Sequence, residues 1–229
     1  MSAKLQIGIV GRDGRLGRAA TSWVEQAPDL QLMGAVGPGE DWGALASADV
    51  VLEVTRAGLG LAHGLRLIEM GLRPLIGTSG VDLEQTEILN QLAHEKGIGG
   101  VVIPNFSIGM MAMRRALSAM GELISKSAIT EGHRTEKADA PSGTARELCR
   151  LLDVPESEVT SVRIDGLTAA HEARLKIYGD ELVLRHESLG MESFKSGVLA
   201  SIRYAATAQG VASGLEVVLP EACKLQPVP

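Results

Sequence analysis

The chain carries 229 residues, a net charge of −6, and 45% hydrophobic, 22% charged and only 3% aromatic residues. That length suffices for one large domain or two small ones with a buried core, and with so few aromatics the core falls to Leu, Val, Ile, Ala and Met. The acidic balance and the lack of a basic run interleaved with aromatics argue against nucleic acid as a partner, and every apolar run falls short of the roughly 18 residues of a membrane helix.

In chain order, Met1 to Lys4 leads without a signal-peptide pattern into Leu5 to Val10, an apolar run that predicts a buried strand ending at Gly11. A helix is expected from Gly17 to Gln26, then strands over Leu30 to Val36 and Val50 to Val54. A helix from about Leu59 to Met70, a strand from Pro74 to Gly77, a helix from Leu83 to Lys96 and a strand from Gly100 to Ile103 follow, with Gly71 and Gly97 ending the helices. Strands alternating with helices imply βαβ units and a parallel sheet covered on both faces.

After Asn105 the character changes. A Met-rich helix is expected from about Ile108 to Ile124, its methionines serving core or subunit packing. A strand near Ser127 to Glu131 and a helix from Ser142 to Leu152 come next. Alternation over Glu172 to Ile177 and Leu182 to Leu189, around a turn at Gly179-Asp180, is a hairpin signal. This region reads as α+β with an open, mixed and largely antiparallel sheet. Phe194 to Ala208 reads as a helix and the tail from Pro220 as irregular. Cys149 and Cys223 form no CxxC pair and no metal-ligand spacing, so the cytoplasm is the expected compartment and no metal site is expected. His63 and His94 are expected on exposed helix faces.

Gly11-Arg12-Asp13-Gly14-Arg15-Leu16-Gly17 falls between the first strand and the first helix, where a dinucleotide-binding turn belongs. Gly11 permits the turn, Gly14 lets backbone approach a pyrophosphate, and Gly17 lets helix pack on strand. The spacing is GxxGxxG rather than GxGxxG, and plain turn chemistry reads the same way. The second strand ends in Val36-Gly37-Pro38-Gly39 with no carboxylate until Glu40 and Asp41. Arg12 and Arg15 could meet a 2′-phosphate instead, a lean towards NADPH or towards little discrimination from NADH.

The densest chemistry lies in Glu131-Gly132-His133-Arg134-Thr135-Glu136-Lys137-Ala138-Asp139-Ala140-Pro141-Ser142-Gly143-Thr144-Ala145. Ser142 suits an N-cap, and the amides of Gly143 and Thr144 at the helix start make a socket for a carboxylate. His133 titrates near neutrality and suits proton donation, and Arg134 and Lys137 would make the pocket strongly positive, fit for a small dianion. Ordinary capping and a structural histidine would give the same residues.

This segment resembles the signature E-x-H-H-x-x-K-x-D-A-P-S-G-T-A of the 4-hydroxy-tetrahydrodipicolinate reductase family, matching without a gap from Asp139 to Ala145. The glycine turn is similar to the family's GxxGxMG, Glu53-Val54-Thr55-Arg56 to its D-F-T segment, Gly77-Thr78-Ser79-Gly80 to GTTG, and Asn105-Phe106-Ser107-Ile108-Gly109 to NFSxG. Tyr178-Gly179-Asp180-Glu181 with His186 resembles its hairpin. Departures are Arg134 in place of a second histidine, Met191 in place of an arginine, Ser79, Glu53, and a short segment between Leu152 and His171.

The resemblance implies a Rossmann-like dinucleotide-binding domain over 1–106 and 192–229, and a substrate-binding and oligomerisation domain over 107–191. It implies His133 as proton donor, Lys137 as a catalytic contact to substrate, and Arg134, Ser142, Gly143 and Thr144 as further substrate-binding residues. Gly77, Thr78, Asn105 and Phe106 would line the nicotinamide site, with Thr55 and Arg56 beside the cofactor, NADPH or NADH. A small dicarboxylate substrate and a homotetramer are implied as well. The departures leave open a reductase of another cyclic imine or keto-acid adduct, or a dinucleotide-binding protein without catalysis.

Overall fold

A computed structural model describes residues 3–219, so Cys223 and the tail from Pro220 lie outside the described residues. The first elements are β1 (Leu5–Val10), α1 (Arg15–Gln26), β2 (Leu30–Val36), β3 (Val50–Glu53), α2 (Gly60–Glu69), β4 (Arg73–Ile76), α3 (Leu83–Lys96) and β5 (Gly99–Val102). Next come α4 (Ile108–Met120), β6 (Lys126–His133), α5 (Gly143–Leu152), β7 (Thr160–Arg163), β8 (Ala169–Ile177) and β9 (Asp180–Ser188). The chain ends its described course in α6 (Lys195–Thr207), β10 (Gly210–Ser213) and α7 (Leu215–Val218). It divides into two compact units, one of the described residues up to Phe106 and from Phe194 on, the other Ser107–Ser193.

The first unit holds a six-stranded parallel sheet in the order β10-β5-β4-β3-β1-β2. Helices α1 and α6 pack against it and each other, and α2 and α3 form a second pair. Covering both faces explains the unbroken apolar runs: Val50, Val51 and Leu52 of β3 are all fully buried. Trp42 and Leu45, in a 3-10 turn, close a core with Val10, Val36, Val51 and Leu67. Each such side chain contributes about 1.5–3 kcal/mol on burial. The fold is therefore α/β, with a Rossmann-like sheet whose sequential strands flank β1 on both sides.

The second unit holds a mixed sheet ordered β7-β6-β8-β9, with β7 parallel to β6 and the other pairs antiparallel. Met110, Met113 and Leu117 of α4 and Leu148 of α5 pack on Ile129, Ala173 and Leu175 of the sheet. The hairpin turn is Tyr178-Gly179, with Asp180 already paired to Ile177. This corrects the turn expected one residue later: φ is +47° at Tyr178 and +99° at Gly179, as a two-residue type I′ turn demands. The Met-rich helix stops at Met120 rather than Ile124, because Gly121 opens a 3-10 turn through Leu123. Strands β7 and β10 were not expected from the sequence.

Candidate active site

In the first unit, β1 is flanked by β2 on one side and β3 on the other. A crevice opens at such a switch point, outside the carboxyl ends of the strands. A cavity of about 330 Å³ lies there, lined by Gly11, Asp13, Gly14, Gly37, Trp42, Thr55, Arg56 and His63 among others. Gly11 has φ +99°, and a Cβ on it would sit 2.6 Å from the Val54 carbonyl oxygen; a Cβ on Gly17 would collide with the Gly11 carbonyl. Both positions therefore need glycine for the close turn and the close helix. Helix α1 starts without a side-chain cap and without an acidic residue in its first turn, so its first-turn amides and dipole favour an anion.

Around that turn, Arg15 is exposed and Leu16 half-buried. Arg12 donates from Nη1 to the Ala35 carbonyl at 2.7 Å and from Nη2 to Glu40. The Asp13 carbonyl accepts from Arg18 at 2.7 Å. At the next strand end, the Thr55 amide donates to Thr78 Oγ1 at 2.8 Å, so two sequence-expected residues brace each other. Gly77 lies under the Phe106 ring, where a Cβ would come within 2.5 Å of Cε2, and Asn105 stands half-buried beside it.

Four further residues at or beside this site were not expected. Glu53, fully buried, accepts from Thr55 Oγ1 and lies 3.0 Å from His63 Nδ1, while its second oxygen has no partner among the described residues. His63 is therefore not an exposed helix histidine; the inward face of α2 turns it onto Glu53 and, edge-on at 5.1 Å, onto Trp42. Arg66 covers Trp42 at 4.1 Å. The one sequence signal was a carboxylate ending an otherwise apolar strand.

In the second unit, the two-residue period of β6 puts Glu131 and His133 on one face. His133 Nδ1 shares a short hydrogen bond with Glu131 Oε2, and Arg163 Nη1 donates to Glu131 Oε1 at 3.0 Å. Parallel pairing of β7 with β6 sets Arg163 opposite His133. Arg163 also donates to the carbonyls of Lys137 at 3.2 Å and Asp139 at 2.7 Å, tying down the loop after β6. Lys137 Nζ lies 2.7 Å from Asp139, and Arg134 Nε lies 3.6 Å from Glu136. Each cation thus faces a carboxylate, which corrects the strongly positive pocket expected from the sequence.

The link to α5 runs through β8. His171 packs edge-on against His133 at 5.4 Å, and its Nε2 lies 3.2 Å from Ser142 Oγ, the oxygen that caps the Ala145 amide. A Cβ on Gly143, the first residue of α5, would meet nothing within 4 Å, so packing within the chain does not require glycine there. Burial drives His133 below its ordinary pKa; Glu131 opposes this, and Lys137 and Arg163 add to it. Burial pushes Glu131 up, but hydrogen bonds from Ser161 and Arg163 and the neighbouring His133 outweigh it and hold the carboxyl below its usual range. His171, buried and next to His133, is driven down to about 3 and stays neutral.

Residues 5–106 match the family described as "Dihydrodipicolinate reductase, N-terminus", and residues 106–219 match "Dihydrodipicolinate reductase, C-terminus". The chain belongs to the dihydrodipicolinate reductase family. It is 31% identical to the 4-hydroxy-tetrahydrodipicolinate reductase of Cutibacterium acnes, over 94% of this chain and 98% of that one. The enzyme of that name from Moorella thermoacetica is 30% identical over 96% and 99%. Among solved structures, a dipicolinate-bound dihydrodipicolinate reductase from Paenisporosarcina sp. TG-14 superposes with a TM-score of 0.78 at 26% identity, covering 94% of this chain and all of that one.

Within this family member, Glu131, His133 and His171 bring a carboxylate and two imidazoles within 4.8 Å of one another, a grouping the sequence did not suggest. A cation there would compete with the Arg163 guanidinium for Glu131 and with the His133 Nδ1 proton. That donor set fits a proton-handling site better than a metal. Arg163 and His171 escaped the sequence reading because they come from strands 30 and 38 residues beyond His133.

Proposed function

We propose that this chain reduces 4-hydroxy-tetrahydrodipicolinate, a small cyclic dicarboxylate, to tetrahydrodipicolinate with NAD(P)H, on the route to diaminopimelate and lysine. Family membership across both matched segments supports the reaction. The observation that carries it is the chain of contacts Arg163–Glu131–His133–His171–Ser142, which links a held imidazole to the open start of α5.

The uncapped start of α1 and its glycine cradle fit a dinucleotide pyrophosphate. The turn from Gly11 to Gly17 would hold it, with Thr55, Arg56, Gly77, Thr78, Asn105 and Phe106 towards the nicotinamide. When bound, this group supplies the hydride. The chain's own residues supply position and a proton. Glu131 fixes Nδ1 of His133 and leaves Nε2 to donate. Burial disfavours the imidazolium in the free protein, and two substrate carboxylates nearby favour it, so substrate arms its own donor. The first amides of α5, at Gly143 and Thr144, take one carboxylate, and Arg134 and Lys137 orient the other end.

A tetramer built on the open sheet is proposed with this reading, supported by exposed Val162 and Ile164 at one edge and Leu182 and Val183 at the other. The cytoplasm, where NAD(P)H is maintained, is the proposed compartment. NAD(P)H oxidation with freshly made substrate tests the reaction. His133→Ala should lower kcat by about 10²–10⁴, with NADH affinity changed less than about twofold. Undiminished turnover would remove His133 from the chemistry.

A further inference from the structure

The end of β2 decides which dinucleotide a sheet of this kind accepts. A carboxylate there accepts a hydrogen bond from the ribose 2′-hydroxyl of NADH, whereas an arginine accommodates the 2′-phosphate of NADPH. In this chain the strand runs into Gly37-Pro38-Gly39, which carries no acidic side chain and lines the cavity at the switch point. The carboxylate arrives from further along. Glu40 folds back so that Oε2 accepts from the Gly37 amide at 3.0 Å, and Oε1 accepts from Arg12 Nη2.

That pairing also disposes of the arginine. Arg12 Nη1 is spent on the Ala35 carbonyl at 2.7 Å, Nη2 on Glu40, and Nε faces Asp13 Oδ1 at 3.6 Å. Asp13 in turn presses against Gly37, where an added Cβ would collide with its Oδ2. Glu40 and Asp13 thus both face Arg12, a guanidinium the protein already holds, while Arg56 lines the same cavity. A ribose diol meets acceptors there. A 2′-phosphate, with nearly two negative charges, meets those two carboxylates and a cation it must first detach from Glu40.

We infer that Glu40, by holding Arg12 and offering a carboxylate at the end of β2, makes this chain select NADH over NADPH. This reverses the part of the NADPH lean that rested on Arg12, and it rests on the first unit binding a dinucleotide.

Direct titration of the purified chain with NADH and with NADPH, followed by nicotinamide fluorescence, reads the selection without any turnover. NADH should bind at least about tenfold more tightly, equivalent to about 1.4 kcal/mol. Glu40→Gln keeps the shape, removes the charge and releases Arg12, so NADPH should bind about fivefold or more tighter and the ratio should narrow. Adding Arg12→Ala to Glu40→Gln should abolish that gain. Glu40 is exposed, so these variants fold, and thermal unfolding checks it. Equal or tighter binding of NADPH to the unaltered chain overturns the inference, as does a ratio unmoved by Glu40→Gln. NADH selection in a chain that reduces no dicarboxylate would sink the proposed reaction and leave this inference standing. Reduction with either dinucleotide at equal affinity would do the opposite.

Discussion

Glu131 has no exposure to solvent, yet it takes hydrogen bonds from both His133 and Arg163. Its negative charge raises the pKa of His133 against the depressing effect of burial. Glu131→Gln should therefore lower the His133 pKa further, which moves the high-pH limb of kcat to lower pH if His133 is the proton donor proposed above. The amide can also reverse the tautomer, so kcat should fall by about 10–10³, while NADH affinity stays put. A purely structural role would lower stability but leave the pH profile where it was. His133, Lys137 and Ser142 were legible in the sequence because one short loop holds them at motif spacing. Arg163, His171 and Glu53 were not, because only strand pairing and burial bring them to their partners.

At the scale of elements, the two anion sites proposed above are helix starts, and two glycines separate packing from binding. Gly17 of α1 has the Gly11 carbonyl where a Cβ would go, so Gly17→Ala must push helix from turn. It should cost about 1–3 kcal/mol and weaken NADH binding together with stability. Gly143 of α5 faces open space, so Gly143→Ala should leave stability unchanged or raise it by up to about 1 kcal/mol. Its added methyl group should nonetheless raise the KM for the dicarboxylate several-fold. Denaturant unfolding set beside steady-state kinetics tells the two apart; an unchanged KM in Gly143→Ala would take the substrate away from α5. Helix starts were readable because Ser142 and the glycine turn are local signals. Strands β7 and β10 were not, since neither shows a period and, unlike the equally short β3, neither is a continuous run of large apolar residues.

Across the whole molecule, titratable burial is concentrated in the second unit, where His133, His171 and His186 are all driven below their ordinary values, mainly by burial. The register of β8 on β9 pairs His171 with His186, and each reaches a helix-capping serine: Ser142 for α5, Ser107 for α4 at 2.9 Å. A histidine with a depressed folded pKa binds its proton more readily when unfolded. Stability is therefore full above the ordinary value of 6.5 and declines as pH falls towards the folded value. For His171 that window runs from 6.5 to about 3, at about 1 kcal/mol per pH unit. Between about 4.5 and 6.5 most carboxylates are still ionised, so loss in that interval belongs to histidines. Urea midpoints measured at pH 7.5, 6.5 and 5.5 should fall steadily below 6.5. Amide exchange should show β6, β8 and β9 losing protection ahead of β1 to β5. His171→Gln, which cannot take up the proton but can still bond to Ser142, should start lower at pH 7.5 and lose less on acidification. A midpoint that holds level down to pH 5, or equal loss of protection in both sheets, would mean that these buried imidazoles do not govern acid stability.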